Sequence, residues 1–363
     1  MRELAQARQA FDWLREGSSS VQQAALRDLD RAFSNWFKNP GHYRYPTWRK
    51  RTDRQSFVVR DINVKRASAK TAMVFVPKAG WVRFRLSVPF EQVAAATSAR
   101  VTRDAGGRWH VAFVTPVRQF ERPHRTGQIV GIDRGVANTL ALDNGQMGHA
   151  PTLSASEQAR FVALQRRLAR QVKGSRRRER TKLALGRLRV RLTDRRKDWI
   201  EKTTTELVRD YDVIAVEDLR VKNMVRKPKA KPDPDNPGQF LPNGARAKAG
   251  LNRAIHASAW SMFLQRLQDK VDACPEETRP ALVRVNPKNT SRTCAACNEP
   301  DARSRESQAV FQCVYCGHQA HADTNAAVNI RTRGLALLEP QDMRESDASV
   351  SPSVSRVNQL GAA

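Results

Sequence analysis

Four of the five cysteines fall in two pairs, Cys294-Ala-Ala-Cys297 and Cys313-Val-Tyr-Cys316, with 15 residues between them. Each CxxC lets two thiolates of one knuckle share a metal, and two knuckles complete a tetrahedron. Gly317 follows the second pair, where a tight turn would free backbone N–H groups toward sulfur. The spacing predicts a structural Zn²⁺ on Cys294, Cys297, Cys313 and Cys316. Four thiolates close the site, so this zinc is architectural and not catalytic. The competing interpretation is a redox dithiol pair, and in a reducing compartment metal comes before disulfide. Cys274 is left over as an inert structural thiol. His318 and His321 are expected at the surface or facing nucleic acid, not as ligands.

Three carboxylates form the second candidate constellation. Asp133 ends the apolar run of Val-Gly-Ile-Asp-Arg-Gly, and Gly135 opens a turn. Glu217 ends Val213-Ile214-Ala215-Val216 in the same way, and Asp323 precedes the small-residue helix Thr324-Asn325-Ala326-Ala327-Val328-Asn329-Ile330. Singly, each has a plain structural explanation: a turn residue, an arginine partner, a helix N-cap. Together they place an Asp–Glu–Asp set on two strand ends and a helix start. That is the ligand set two Mg²⁺ ions need for in-line attack on a phosphodiester.

The partner is predicted by charge. The chain has 363 residues, room for roughly two to three domains, and 40% of them are apolar, enough to bury real cores. Its 48 Arg and 16 Lys against 36 acids give a net charge of +28 and a pI of about 11.0. A free metabolic enzyme does not fit that imbalance. A polyanion offsets the self-repulsion, and arginine suits bidentate contact with phosphates. Nucleic acid is favoured over an anionic membrane surface. No apolar run approaches the ~20 residues of a membrane span. The first residues suggest an amphipathic helix without a signal-peptide core. The expected location is the bacterial cytoplasm, in association with the nucleoid.

The elements that must position these groups follow from periodicity. Residues 1–37 have helical spacing, broken at Asn39-Pro40-Gly41. Tyr43, Arg44, Tyr45 and Trp48 follow, either as nucleic-acid contacts or as aromatic anchors of a loop. Residues 56–118 hold short β-rich runs that predict a small antiparallel barrel or sandwich. QIVGID and NTLALD are two strands joined by a tight turn. Residues 156–209 are helical, with 16 Lys/Arg against two acids between Arg160 and Lys197. Like charges at i,i+4 destabilise a helix unless phosphates neutralise them. Arg166, Arg167, Arg170, Arg176, Arg177 and Arg178 are therefore expected on nucleic acid. YDVIAVEDL is a buried strand, 226–248 a mobile loop, 250–272 a helix and ALVRVNP a strand. From about 334 the composition predicts disorder.

GIDRG, VIAVEDL, NPKNTSRTCAAC, FQCVYCG and HADTNAAVNI, in this order, resemble the TnpB (OrfB) family, as does the run LNRAIHASAWSMFLQRLQDK. These are transposon-encoded RNA-guided DNA endonucleases, similar to compact type V CRISPR effectors. The resemblance spans about residues 18–332. It implies an α/β chain built on a RuvC-like RNase H fold, with Asp133, Glu217 and Asp323 as the Mg²⁺-binding triad. The implied domains are a helical recognition lobe over 1–54, a β-rich wedge-like domain over 55–126 and a nuclease domain over 127–289 that includes the basic helices. A zinc ribbon over 290–318, the rest of the nuclease domain over 319–333 and a tail over 334–363 complete the chain. A guide RNA from the transposon end and a target DNA beside a short motif are the implied partners. Family members usually begin with a strand and a helix ahead of SSSVQQAALRDLDRAF. The short leader here implies a missing first wedge strand and a reduced recognition lobe. Three further functions compete: a nuclease-inactive RNA-guided repressor, which is expected to lose triad acids, a transposase with another acidic triad, and a zinc-ribbon DNA-binding protein. All three acids are present, which favours the endonuclease.

Overall fold

The computed structural model describes residues 2–47, 55–60, 62–116, 118–236 and 238–338. They form two compact units, residues 1–118 with 152–195, and residues 119–151 with 196 onward.

The first unit opens with helices α1 (Arg2–Ala10), α2 (Asp12–Glu16) and α3 (Ser19–Lys38). The Ser18 hydroxyl caps α3 by accepting from the Val21 N–H at 3.4 Å. The β-rich region gives β1 (Ser56–Arg60), β2 (Val64–Ser68), β3 (Thr71–Val76), β4 (Gly80–Arg85), helix α4 (Phe90–Ala94), β5 (Ser98–Arg103) and β6 (Trp109–Val114). They pair into two antiparallel sheets, β1-β5-β6 and β2-β3-β4. Alternation along β3 turns Ala72, Val74 and Val76 inward, where Val59, Phe57, Phe84 and Phe113 meet them. Among the described residues no ladder joins the two sheets, and they share this core.

Two basic helices complete this unit, α5 (Ala155–Arg170) and the first part of α6 (Arg176–Asp210). Ser154 and Glu157 close α5 with a reciprocal capping box. Gly186 of α6 lies against the β5–β6 turn. A Cβ there would sit 1.9 Å from the Ala105 carbonyl oxygen.

The second unit holds β7 (Ile129–Asp133), β8 (Leu140–Leu142), β9 (Met147–Gly148), β10 (Val213–Glu217), helix α7 (Val221–Met224), the two-residue strands β11 (Lys231–Pro232) and β12 (Phe240–Leu241), helices α8 (Ala245–Ala257) and α9 (Trp260–Asp272), β13 (Ala281–Val285), β14 (Val310–Gln312), β15 (Gln319–His321) and α10 (Ala322–Ala336). The central sheet runs β13-β10-β7-β8-β9. β7 to β9 form an antiparallel meander, and β10 and β13 add parallel strands beside β7. This is the RuvC-like RNase H arrangement that the resemblance implied. On one face Val130, Ile132, Ile214 and Val216 pack with Ile200, Leu207 and Val208 of α6 and Phe263, Leu267 and Val271 of α9. On the other face Ala215 and Val285 meet Ile330 of α10.

Helix α10 approaches that second face at backbone distance. A Cβ at Gly131 would lie 2.1 Å from the Ala327 carbonyl oxygen and 2.6 Å from the Arg331 nitrogen. A Cβ at Gly334 would lie 2.5 Å from the Ala215 Cβ. Glycines on both partners let a helix of small residues lie on the strands, and Ala326, Ala327 and Ile330 are fully buried there.

Three sequence expectations are corrected. The helix expected over 250–272 breaks after Ala257, because Ala259 adopts a left-handed φ of 54°. The break lets Ile255, Trp260 and Phe263 all reach the interior. The loop expected over 226–248 carries the β11–β12 ladder and the start of α8. Helix α10 runs to Ala336, past the expected boundary at 333. The rest of the expected disordered tail, from 339, lies outside the described residues.

Gly131→Ala should destabilise the protein by about 3 kcal/mol or more, because both atoms it meets are backbone and cannot turn aside. Gly250→Ala, on α8 with no atom nearer than 4.0 Å, should be neutral or stabilising by up to about 1 kcal/mol. Thermal unfolding of the two variants checks the contrast. Equal melting temperatures would contradict the close docking of α10.

Candidate active site and metal centre

Parallel pairing places the first two acids. β10 and β7 run in register through Val216↔Ile132. Glu217 and Asp133 are the next residues of each strand. Side chains alternate, so both leave the sheet on the face of Gly131 and Ala215, which α10 covers. The third acid, Asp323, lies in the first turn of α10, and docking of that helix carries it toward the strand ends. The sequence offered Asp323 as a helix N-cap. The cap is instead His321, whose Nδ1 accepts from the Asp323 backbone N–H at 3.2 Å. The Asp323 carboxylate is thereby left for other partners, at the positive end of a helix.

Glu217 and Asp323 are buried, 6% and 4% exposed. The Thr290 hydroxyl donates to Glu217 Oε1 at 2.5 Å. Asn138 Nδ2 donates to Asp323 Oδ2 at 2.9 Å, and Arg305 forms an ion pair with Oδ1 at 3.1 Å. The neighbouring guanidinium of Arg134 donates to the Glu217 backbone carbonyl. Burial, and then the charges of Glu217 and Asp323, push the Asp133 carboxyl up to about 7. Burial also raises Glu217, against the Thr290 hydroxyl that lowers it. Three acids crowded at low dielectric make a site short of positive charge. Their hard oxygen donors fit Mg²⁺ or Mn²⁺ and not a soft metal. The sequence named Asp133, Glu217 and Asp323, and the structure adds Arg134, Asn138, Thr290 and Arg305 as their neighbours. Thr290 lies within the NPKNT run quoted above, and Asn138 five residues after Asp133. Arg305 carried no sequence signal among so many arginines.

The four cysteines meet as expected. Among the described residues they are the one group of three or more candidate ligands whose atoms all lie within 4.8 Å of one another. The three carboxylates do not form such a group, and Glu217 and Asp323 each have partners of their own. Cys294 and Cys316 sulfurs are 3.7 Å apart, and Cys297 and Cys313 sulfurs 3.6 Å. A tetrahedron with Zn–S of ~2.3 Å has edges of ~3.8 Å, so the donor set fits zinc. Backbone N–H groups of Cys316 and Tyr315 hold the Cys313 thiol down to about 6. The second knuckle is the turn of the β14–β15 hairpin, the first lies within the Thr293↔Pro300 bridge, and Phe311 is buried with Cys294, Cys313 and Ala322. Cys274, the fifth cysteine, is buried and donates to the Lys270 carbonyl oxygen at 3.3 Å.

The basic and aromatic candidates divide. Arg166, Arg167, Arg170, Arg176 and Arg177 are exposed. Arg178 is half-buried and donates to the carbonyls of Leu168 and Gln171, so it fastens the turn between α5 and α6. Tyr45 packs on Phe33 and Trp36, with ring centroids 5.6 and 5.1 Å away, and Tyr43, Arg44 and Tyr45 are all exposed. Trp48 lies outside the described residues. Among the described residues, no helix is long and apolar enough to cross a membrane.

The family model OrfB_IS605, described as a probable transposase, matches residues 110–227, and the Cas12f1-like TNB domain matches residues 260–330. The RNA-guided DNA endonuclease InsQ of Escherichia coli K12 is 31% identical over 335 residues, covering 92% of this chain and 79% of that protein. An RNA-guided DNA endonuclease of Streptomyces pristinaespiralis is 29% identical over 358 residues, 97% of this chain and 81% of its own. A Cas12f1 complex with guide RNA and target DNA superposes with a TM-score of 0.46 at 14% identity, over 86% of this chain and 71% of that one.

Two measurements test this site. Without divalent metal, the raised Asp133 value means that the folded state prefers the acid protonated. Stability therefore falls as pH rises from about 4 to about 7. Asp133→Asn should raise the melting temperature at pH 8 in magnesium-free buffer and leave it unchanged at pH 4. Equal shifts at both pH values would show that Asp133 is not crowded. The purified protein should also carry about one zinc per chain, held at roughly the 10–16 kcal/mol of structural sites. Cys297→Ser should lose it, as metal analysis by mass spectrometry would show.

Proposed function

This chain belongs to the TnpB (OrfB) family, and from that premise we propose that it is an RNA-guided DNA endonuclease of transposon origin whose cleavage centre is Asp133, Glu217 and Asp323. The observation that carries this is the convergence of three carboxylates, from two adjoining strand ends and one helix start, on one covered face. The relatives named RNA-guided DNA endonucleases support the activity. Retention of all three acids favours cleavage over a guided repressor.

In this proposal Mg²⁺ held by the triad would supply Lewis-acid polarisation of the scissile phosphate and activation of the attacking water. The chain's own residues set up that chemistry. Asp133 and Glu217 present oxygens side by side from rigid strands. Asp323 closes the third side from α10, with Asn138 fixing one of its oxygens. Arg305 brings a positive charge to the rim of the same acid. Zinc in the four-cysteine ribbon is structural and keeps the segment before α10 folded.

The exposed face of α5 and α6 is the proposed seat of the guide RNA. The RNA comes from the transposon end, and the target lies beside a short motif. Arg166, Arg167, Arg170, Arg176 and Arg177 neutralise phosphates, with Tyr43 and Arg44 as further contacts. Target sequence is then read by RNA pairing and not by the protein. We place the protein in the bacterial cytoplasm.

Asp133→Ala, Glu217→Ala and Asp323→Ala should each abolish Mg²⁺-dependent cleavage in a plasmid assay while keeping RNA and target binding. The losses should be non-additive, since the acids act as a unit. A single variant that cuts at the wild-type rate would remove that acid from the centre.

Reversal of the five exposed arginines to glutamate should destroy RNA retention and leave zinc content intact. If all five contact phosphates, the slope of log K against log salt should flatten by about 4. Sequence-specific DNA binding retained without RNA would overturn the guided function.

A further inference from the structure

Arg134 follows the first acid of the triad and has no part in the chemistry described so far. Its side chain is buried just past the end of β7, with the residue 3% exposed. A guanidinium keeps its charge at neutral pH even so, which makes this a costly group to bury. Its Nη2 donates to the Glu217 backbone carbonyl, while Nε and Nη1 have no hydrogen-bond partner among the described residues. Asp133, Glu217 and Asp218 supply nearby negative charge, and Arg284 of β13 opposes it.

The place where this contact falls is informative. On its β13 side, β10 stays paired through Glu217↔Val285, and the Asp218 N–H continues to the Val285 carbonyl at 2.8 Å. On its β7 side, pairing stops one residue earlier, at Val216↔Ile132. The chain leaves β7 there through the tight turn at Gly135, where a Cβ would lie 2.8 Å from the Asn138 carbonyl oxygen. The Glu217 carbonyl would therefore be untied on the side that faces β7, although the Glu217 N–H still pairs with β7. The Arg134 guanidinium takes that place and extends the ladder by one side-chain rung.

We propose that Arg134 is a positioning residue, a buried cation that ties the Glu217 peptide to β7 and so fixes the spacing of the Glu217 and Asp133 carboxylates for a shared divalent cation. This rests on the nuclease centre proposed above. It also accounts for an internal charge that folding alone does not require, because replacing buried ionic groups by well-packed apolar ones is often neutral or stabilising.

The test compares the full-length, zinc-loaded protein with Arg134→Met, Arg134→Lys and Glu217→Gln. Mn²⁺ affinity is measured on the RNA-free protein by electron paramagnetic resonance of the free ion. Target cleavage is measured on the RNA-loaded protein. Arg134→Met should keep its melting temperature and RNA retention. Its Mn²⁺ affinity and kcat should fall about ten- to a hundredfold, the usual cost of losing a group that orients a metal ligand. KM for target DNA should stay unchanged. Lysine, with a single donor group, should restore part of both losses. Wild-type Mn²⁺ affinity and kcat in the methionine variant overturn the proposal. So does a fall in melting temperature that tracks the fall in activity in both Arg134 variants. Should the methionine variant not fold, a folded lysine variant decides: weakened Mn²⁺ binding supports the role and wild-type binding overturns it. Glu217→Gln separates the two proposals. If it leaves Mn²⁺ binding untouched, the triad itself is wrong; if it weakens binding and Arg134→Met does not, only the role of Arg134 fails.

Discussion

The contact between the backbone of α10 and the face of β7 and β10 governs the rest of the nuclease unit. Two glycines, Gly131 on the strand and Gly334 on the helix, remove the side chains that would hold the two apart. Alanines at 326 and 327 fill what remains. A helix resting on larger side chains would stand further from the sheet, and Asp323 would move with it. The three acids come from chain positions far apart in sequence, and this contact alone brings the third to the other two. The ribbon is tied to the same helix. Asn325 accepts from the Ala295 N–H and donates to the Thr293 carbonyl, and Asn329 donates to the carbonyls of Thr290 and Thr293. Ala322, the first residue of α10, lies in the ribbon core. Sheet, helix and ribbon thus fix one another through small residues and two buried asparagines.

Electrostatics pull the other way. Buried Glu217 and Asp323 and half-buried Asp133 repel, and the protein answers with neutral donors and cations placed singly. Thr290 serves Glu217, Asn138 and Arg305 serve Asp323, and Arg134 lies behind the strand ends. Arg134 and Asn138 come from the turn after β7, and Thr290 and Arg305 from the segment between β13 and β14. The Arg305–Asp323 ion pair and the Arg134 guanidinium offset only part of the negative charge.

Much of this was legible in the sequence, for physical reasons. Apolar strands that end in an acid mark Asp133 and Glu217, because a charged residue terminates a buried run. Cysteine spacing marks the ribbon, because two knuckles need that geometry around one metal. Periodicity separates the β-rich region from the helices. What escaped was tertiary. The break at Ala259 has no glycine or proline to announce it; burial of Trp260 and Phe263 imposes it. Arg178 looks like its exposed neighbours in sequence, yet its donors are taken by α5 carbonyls. Arg134 and Arg305 are two among 48 arginines, and only the folded chain distinguishes them from those free to meet nucleic acid.

The ribbon lies between β13 and α10 in the chain, and this order has a consequence during synthesis. Domains fold from the N-terminus as the ribosome releases them. Asp133 and Glu217 emerge on strands that can pair before the last acid exists. Asp323 leaves the ribosome only after both cysteine knuckles, on a helix whose first residue belongs to the ribbon core. Both knuckles are thus complete in the nascent chain before Asp323 emerges, and a ribbon left without metal would deprive the first turn of α10 of the core in which its Ala322 packs.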